Sequence, residues 1–345
     1  MVEEREIENI TEDEAALYDR QIRLWGLDAQ KRLHAANVLL IGMSGLGAEV
    51  AKNIALSGIK SLTLLDDNEV TEEDAGSTFL VSREDVGKNR ATSSLENVQK
   101  LNPMVKVSAY TESVDAKADE YFEQFHVICA TCCSEETLLR LNRITHRSNI
   151  LFFAGQVFGF YGFAFTDLND QHEYAEEVVV KKKPEEGNED GEPSEKKKKA
   201  ENETQTVKKT MAFTRLEQAL NVDWEKDTNK KILKRLSHVY PMTQVFLRFR
   251  EKEKRWPAAK TATEDKTTLT NLQLEVLEKM NLAPEKLGEE FVNYSIAELS
   301  AACAVVGGLM AQEIIKAVSQ KDAPLNNFFL FDGREGCGIV EHLGY

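Results

Sequence analysis

The chain has 345 residues, 42% of them hydrophobic and 29% charged, with a formal net charge of −15. This length allows one or two domains with a sizeable core. The acidic balance argues against sequence-independent nucleic-acid binding, which needs basic surface. The acidic, polar start MVEEREIENITEDEAA predicts no signal or transit peptide. The longest apolar run, Ala301 to Ala311, falls short of the ~20 residues of a membrane span.

Residues 14–36 predict a helical lead-in, with Leu17, Ile22, Leu24, Leu27 and Leu33 as its apolar positions and Gly26 splitting it in two. Arg20 and Arg23 share a face, and composition alone makes them solvated charges. Val38 to Ile41 is then a short apolar run of the kind buried on both faces of a sheet. It breaks at Gly42, and Leu46, Val50 and Ile54 recur at helical spacing until Gly58, a C-terminal cap. A second buried strand, Ser61 to Leu65, ends on Asp66 and Asp67. Such a βαβ unit opens a nucleotide-binding fold: glycines admit a phosphate, the helix N-terminus offers N–H groups, and the acid holds a ribose. In the register G-x-G-x-x-G the positions are Gly42, Ser44 and Gly47, so a Cβ stands where the backbone should come closest to phosphate. The pattern predicts the fold more firmly than nucleotide binding by this loop, whose candidate contacts are Gly42, Gly47 and Asp66.

Further on, a helix is predicted over 88–101, a strand over 106–110, a short helix over 119–125 and a buried strand over 126–130. A helix capped by Ser134 follows, then a strand from Leu151 and bent antiparallel strands to about 167. Strands alternating with helices mean an open, mostly parallel α/β sheet covered on both faces. Residues 180–209 have no aromatic residue and almost nothing apolar, which predicts a flexible charged loop. Within it, Lys196 to Lys199 reads equally as a nuclear-import patch, placing the protein in the nucleus, or as a solvated linker. Residues 210–290 predict a small helical insertion apart from the sheet. Residues 291–345 return to the first domain of residues 14–170, with a helix apolar nearly all round from Ile296 to Val318 and two strands joined through Asp332 and Gly333. Cys129-x-x-Cys132-Cys133 lacks a second pair to complete a zinc site, so these are expected to be structural thiols and no metal site is assigned. An odd cysteine count without a secretory signal fits a reducing compartment.

Taken together, YDRQIRLWG (18–26), IGMSGLGAEVAKN (41–53), TLLDDNEV (63–70), NPMV (102–105) and CAVVGGLMAQEIIKA resemble the ThiF/MoeB-type, Rossmann-like adenylation fold of the ubiquitin-like protein-activating enzymes. The nonapeptide resembles the signature of the family's non-catalytic half. The resemblance implies a pseudo-adenylation domain paired with a homologous catalytic chain, with ATP and magnesium in the partner's site and a ubiquitin-like modifier as substrate; which modifier stays open. Against the catalytic pattern, the second acid falls on Asn68, an arginine on Ser77, the phosphate lysine on Arg90 and the magnesium aspartate on Cys132 or Cys133. Adenylation needs cations and a metal against the charge on the phosphates, and this chain lacks most of that set. No cysteine stands in the exposed, electropositive setting that a thioester nucleophile wants. Under the resemblance, Arg20 corresponds to the arginine sent into the partner's site to touch the ATP phosphates. Pairing surface is expected around 140–165 and 300–330. An NAD-dependent dehydrogenase is the rival from another class, opposed by Ser44 and by the lack of a hydride-transfer constellation.

Overall fold

The computed structural model describes residues 11–181 and 202–345; Lys196 to Lys199 and most of the predicted charged loop lie outside them. Three short helices lead in, α1 (Glu12–Leu17), α2 (Asp19–Trp25) and α3 (Leu27–His34), with the predicted break at Gly26. Then come β1 (Asn37–Ile41), α4 (Gly45–Leu56) and β2 (Ser61–Leu65), the two strands parallel with Val38 opposite Leu62. The alternation continues through α5 (Glu72–Ser77), α6 (Arg90–Leu101), β3 (Lys106–Tyr110), α7 (Asp119–Phe122), β4 (Val127–Thr131) and α8 (Glu135–Arg147). Ser134 caps α8 by accepting the Thr137 amide, as its sequence predicts. Two antiparallel strands, β5 (Leu151–Phe158) and β6 (Tyr161–Asp167), close the first run.

A ribbon of β7 (His172–Lys181) and β8 (Asn202–Met211) follows, then α9 (Leu216–Leu220), α10 (Asp227–Arg235), α11 (Val239–Glu253), α12 (Ala262–Lys279), α13 (Ser300–Ser319), β9 (Phe328–Asp332) and β10 (Cys337–Glu341). One eight-stranded sheet runs β10-β9-β6-β5-β4-β1-β2-β3, parallel from β5 to β3 and antiparallel at the β6, β9, β10 end. The ends of the chain thus share one sheet. Alternate residues feed two cores: Leu39, Phe152 and Phe328 face one side, Val38, Phe153 and Phe329 the other. That double burial is why the strands read as continuous apolar runs.

Four expectations change. First, residues 202–211 are a strand; Asn202 pairs with Lys181 and Met211 with His172, and Lys209 bonds Glu176 at 2.6 Å. Low hydrophobicity hid an alternation of β-branched residues that a two-stranded ribbon can use. Second, the helices of 210–290 are not apart from the sheet. Phe246 of α11 stacks on Phe158 of β5 at 4.3 Å and 14°, so α11 is part of the layer covering the sheet. Third, α13 is apolar enough, with 20 residues and a mean hydropathy of 1.5, to match a membrane span by length and composition. It packs instead along α4 and the sheet, burying Val306, Met310 and Ile314 while Val305 stays 46% exposed. Fourth, of the lead-in leucines only Leu33 is buried; Leu24 is 72% exposed. Of the two stretches expected to pair, 300–330 exposes Val305 on α13, and 140–165 exposes Phe160 at the turn between β5 and β6, whose strands are themselves buried; Leu24 on α2 adds exposed apolar surface outside both.

Gly58 adopts φ +78°, and a Cβ there would stand 2.5 Å from the buried Tyr18 ring. Gly58→Ala therefore meets both a left-handed backbone and a steric clash, and is expected to cost about 2 kcal/mol or more of stability. Thermal or urea unfolding of the variant against the parent reads this directly.

Candidate functional site

Past Ile41 the backbone turns at Gly42, φ +86°, where a Cβ would lie 2.5 Å from the Thr131 carbonyl oxygen at the end of β4. A Cβ on Gly47 would drive into the Gly42 carbonyl, so α4 rests backbone to backbone on the turn. These two predicted glycines are thus fixed by strand–helix packing, whatever the loop binds. Ser44 precedes α4 but makes no cap to its own helix. Its hydroxyl donates to Glu298 Oε1 at 2.9 Å and lies 3.0 Å from Cys132 Sγ.

Asp66 sits buried where β2 ends. Its Oδ2 accepts the Met43 amide at 2.7 Å, and its Oδ1 accepts the Asn68 amide at 2.9 Å and Asn68 Nδ2 at 2.8 Å. The carboxylate therefore braces the glycine turn and its own loop. Arg90, in the phosphate-lysine position, gives Nε to Asp74 at 2.9 Å and its other arm to the same carboxylate at 2.8 Å, with Asp66 at 3.9 Å. Ser77 and Cys132 join Ser44, Arg90 and Glu298 around a cavity of about 110 Å³. The structure thus brings together most of the positions that depart from the catalytic pattern, while Asn68 lines the neighbouring pocket with Gly42 and Asp66.

These residues do not fit a bound ATP–magnesium. Arg90, the cation among the residues lining this cavity, is engaged by internal acids, and Glu298 presses a carboxylate against the helix N-terminus where a phosphate would need the free N–H groups. Among the described residues, no group of three or more His, Cys, Asp or Glu could hold a metal ion. Glu298 is a residue that sequence reasoning missed. It is 254 positions from Ser44, and no local pattern marks it.

The thiols are protonated. Burial, then the Glu298 charge, pushes Cys132 up to about 12; burial also pushes up Cys129, Cys133 and Cys303. Cys337 is raised by burial as well. A thiolate is the nucleophile, so none of these is poised for a thioester.

The nonapeptide lies elsewhere. Tyr18 is buried, its hydroxyl accepting from Asn102 Nδ2 at 2.8 Å, and Asn102 Nδ2 also donates to the Ala55 carbonyl at 2.8 Å. Gln21 donates to the Leu56 carbonyl at 3.1 Å and Trp25 Nε1 to Gln30 Oε1 at 3.0 Å. Asp19 and Arg23 pair with each other at 3.0 Å. Arg20, exposed beside them, has neither hydrogen bond nor ion pair to any of the described residues. All these anchors are at the C-terminal end of α4. Twelve helical residues, about 18 Å, separate that end from Ser44. That exceeds the reach of a single side chain, so Arg20 cannot serve its own glycine turn.

The ThiF family profile matches residues 18–339. Over all 345 residues the sequence is 48% identical to SUMO-activating enzyme subunit 1 of Homo sapiens, covering 99% of that protein. It is 47% identical over 344 residues to the protein of that name in Xenopus tropicalis, covering 99% of each, and 48% identical over 340 residues to the one in Danio rerio, covering 98% of this chain and 97% of the other. From Tyr18 at the head of the signature to Ile339 in the last strand, the chain belongs to the ThiF family.

Proposed function

We propose that this chain is the non-catalytic subunit of a heterodimeric SUMO-activating enzyme, paired with a homologous catalytic subunit that holds ATP, magnesium and the thioester cysteine. The observation that carries this reading is the division along α4. At one end an acid-filled loop is unsuited to a triphosphate; at the other an anchored helix presents the Arg20 guanidinium, which no described residue engages. The full-length likeness to SUMO-activating enzyme subunit 1 supports the choice of modifier.

In such an enzyme the C-terminal carboxylate of SUMO attacks the α-phosphate of ATP. Pyrophosphate leaves, and the adenylate is then captured by a thiol of the partner. Charge builds on the phosphates as the bond to pyrophosphate breaks, and a fixed cation aimed there lowers the barrier. Arg20 supplies that cation in trans. Its neighbours Tyr18, Gln21 and Trp25 are tied down, so the arm starts from a fixed base and loses little entropy on docking. Arg20→Ala is expected to slow ATP–pyrophosphate exchange in the reconstituted pair by about 10- to 100-fold, below the range known for arginine fingers because the partner brings its own cations. An unchanged rate at intact heterodimer removes the role.

The partner seats on the apolar strip of α2 and α13. A groove of about 400 Å³ runs there between Leu24, Trp25, Gly308 and Ile315. Leu24→Asp combined with Val305→Asp is expected to weaken pairing about 30-fold or more. Sedimentation of the mixed subunits measures it; an unaltered dissociation constant relocates the interface.

A further inference from the structure

We propose that the Glu298 side chain is a built-in occupant of this chain's own phosphate position, a tethered carboxylate that keeps phosphate groups off the N-terminus of α4. The turn itself keeps the form that admits an anion. Gly42 and Gly47 allow α4 to start hard against β1, and the helix has twelve residues to align its peptide dipoles. What meets those N–H groups is Glu298. Its Oε1 accepts the Ser44 hydroxyl at 2.9 Å and Gln156 Nε2 at 3.2 Å, while its Oε2 lies 3.0 Å from where a Cβ on Gly45 would stand. Burial raises its pKa; the Ser44 hydrogen bond, Arg90 and the Gly45 amide act in the opposite direction.

The backbone is held to deliver this side chain. Ala297, the preceding residue, adopts φ +65°, a conformation rare for a residue with a Cβ, and its carbonyl accepts the Gly159 amide at 2.6 Å. Gln156, which grips the carboxylate, also accepts the Cys132 amide at 2.9 Å, so the clamp ties the ends of β4 and β5 to the segment entering α13. Arg90 is the cation lining the Glu298 cavity, and Asp74 and Asp66 take its charge, so that guanidinium is not free to recruit a phosphate past Glu298. The loop thus has the anion it is shaped for, supplied by the chain.

This concerns the chain's own turn and goes beyond the role given to Arg20. The test is calorimetric titration of inorganic pyrophosphate into the full chain alone, as wild type, Glu298→Ala and Glu298→Gln, each checked for folding by its thermal transition. The alanine variant vacates the position, and the glutamine variant keeps its volume while removing the repelling charge. Both are expected to bind pyrophosphate at least about tenfold more tightly than wild type, and excess pyrophosphate should raise their Tm but not that of the wild type. Folded variants that bind no better overturn the proposal and leave the assignment to a heterodimer untouched. A wild-type chain that itself binds pyrophosphate tightly overturns the proposal and also counts against a subunit without its own nucleotide grip.

Discussion

The contact between Gly47 and the carbonyl of Gly42 sets how closely α4 lies on the first strand, and the rest of the molecule is arranged about that helix. With α4 pinned at its start, its axis fixes where its last turn falls, and there Tyr18, Asn102 and Gln21 gather on the Ala55 and Leu56 carbonyls. The same helix also receives α13, whose Gly307 would bring a Cβ within 2.7 Å of Glu49 Cβ. One element therefore joins the glycine turn, the arginine-bearing helix and the exposed apolar residues of α2 and α13. A change that tilted α4 would move all three together.

Electrostatics sets what this loop can accept. A like charge 4 Å away costs roughly 4 kcal/mol at the effective dielectric of a partly buried site. The cavity beside the loop already sets Glu298, Asp74 and Asp66 around Arg90. A triphosphate arriving there would add charge of the same sign with no lysine in place to offset it. Yet the acids do not strain the fold, because each has donors: Asp66 takes two backbone amides and a side-chain amide, and Asp74 takes the amide and hydroxyl of Thr71 besides Arg90. The carboxylates around the loop are satisfied from within.

The sheet was legible because burial on both faces forces the apolar runs of β1, β2, β4 and β5, and no other element of an α/β protein reads that way. The nonapeptide was legible as a motif, but its physical division of labour was not. Spacing puts Leu24 and Val305 among apolar helix residues without saying whether the chain or another molecule covers them, and both stand exposed. The strand Asn202–Met211 was hidden by its charges, since a two-stranded ribbon gains from cross-strand pairs what it lacks in burial. Glu298 was illegible for a different reason. Its meaning comes from Ser44 and Gln156, which the sheet brings to it across 254 and 142 positions.

The freedom of Arg20 is itself a product of packing. A helix C-terminus carries partial negative charge on its last carbonyls, and a nearby arginine is ordinarily drawn onto them. Here the Ala55, Leu56 and Ser57 carbonyls at the end of α4 are taken by the side-chain amides of Asn102, Gln21 and Gln30. Three neutral donors thus do the work that a cation would otherwise do. Asp19, the one acid beside Arg20 in α2, is likewise held by Arg23, one turn away. With the carbonyls capped and the acid neutralised, none of the described residues competes for the Arg20 guanidinium. A charge left unspent on an anchored, exposed helix is what an active site on another molecule can use without first breaking an internal ion pair.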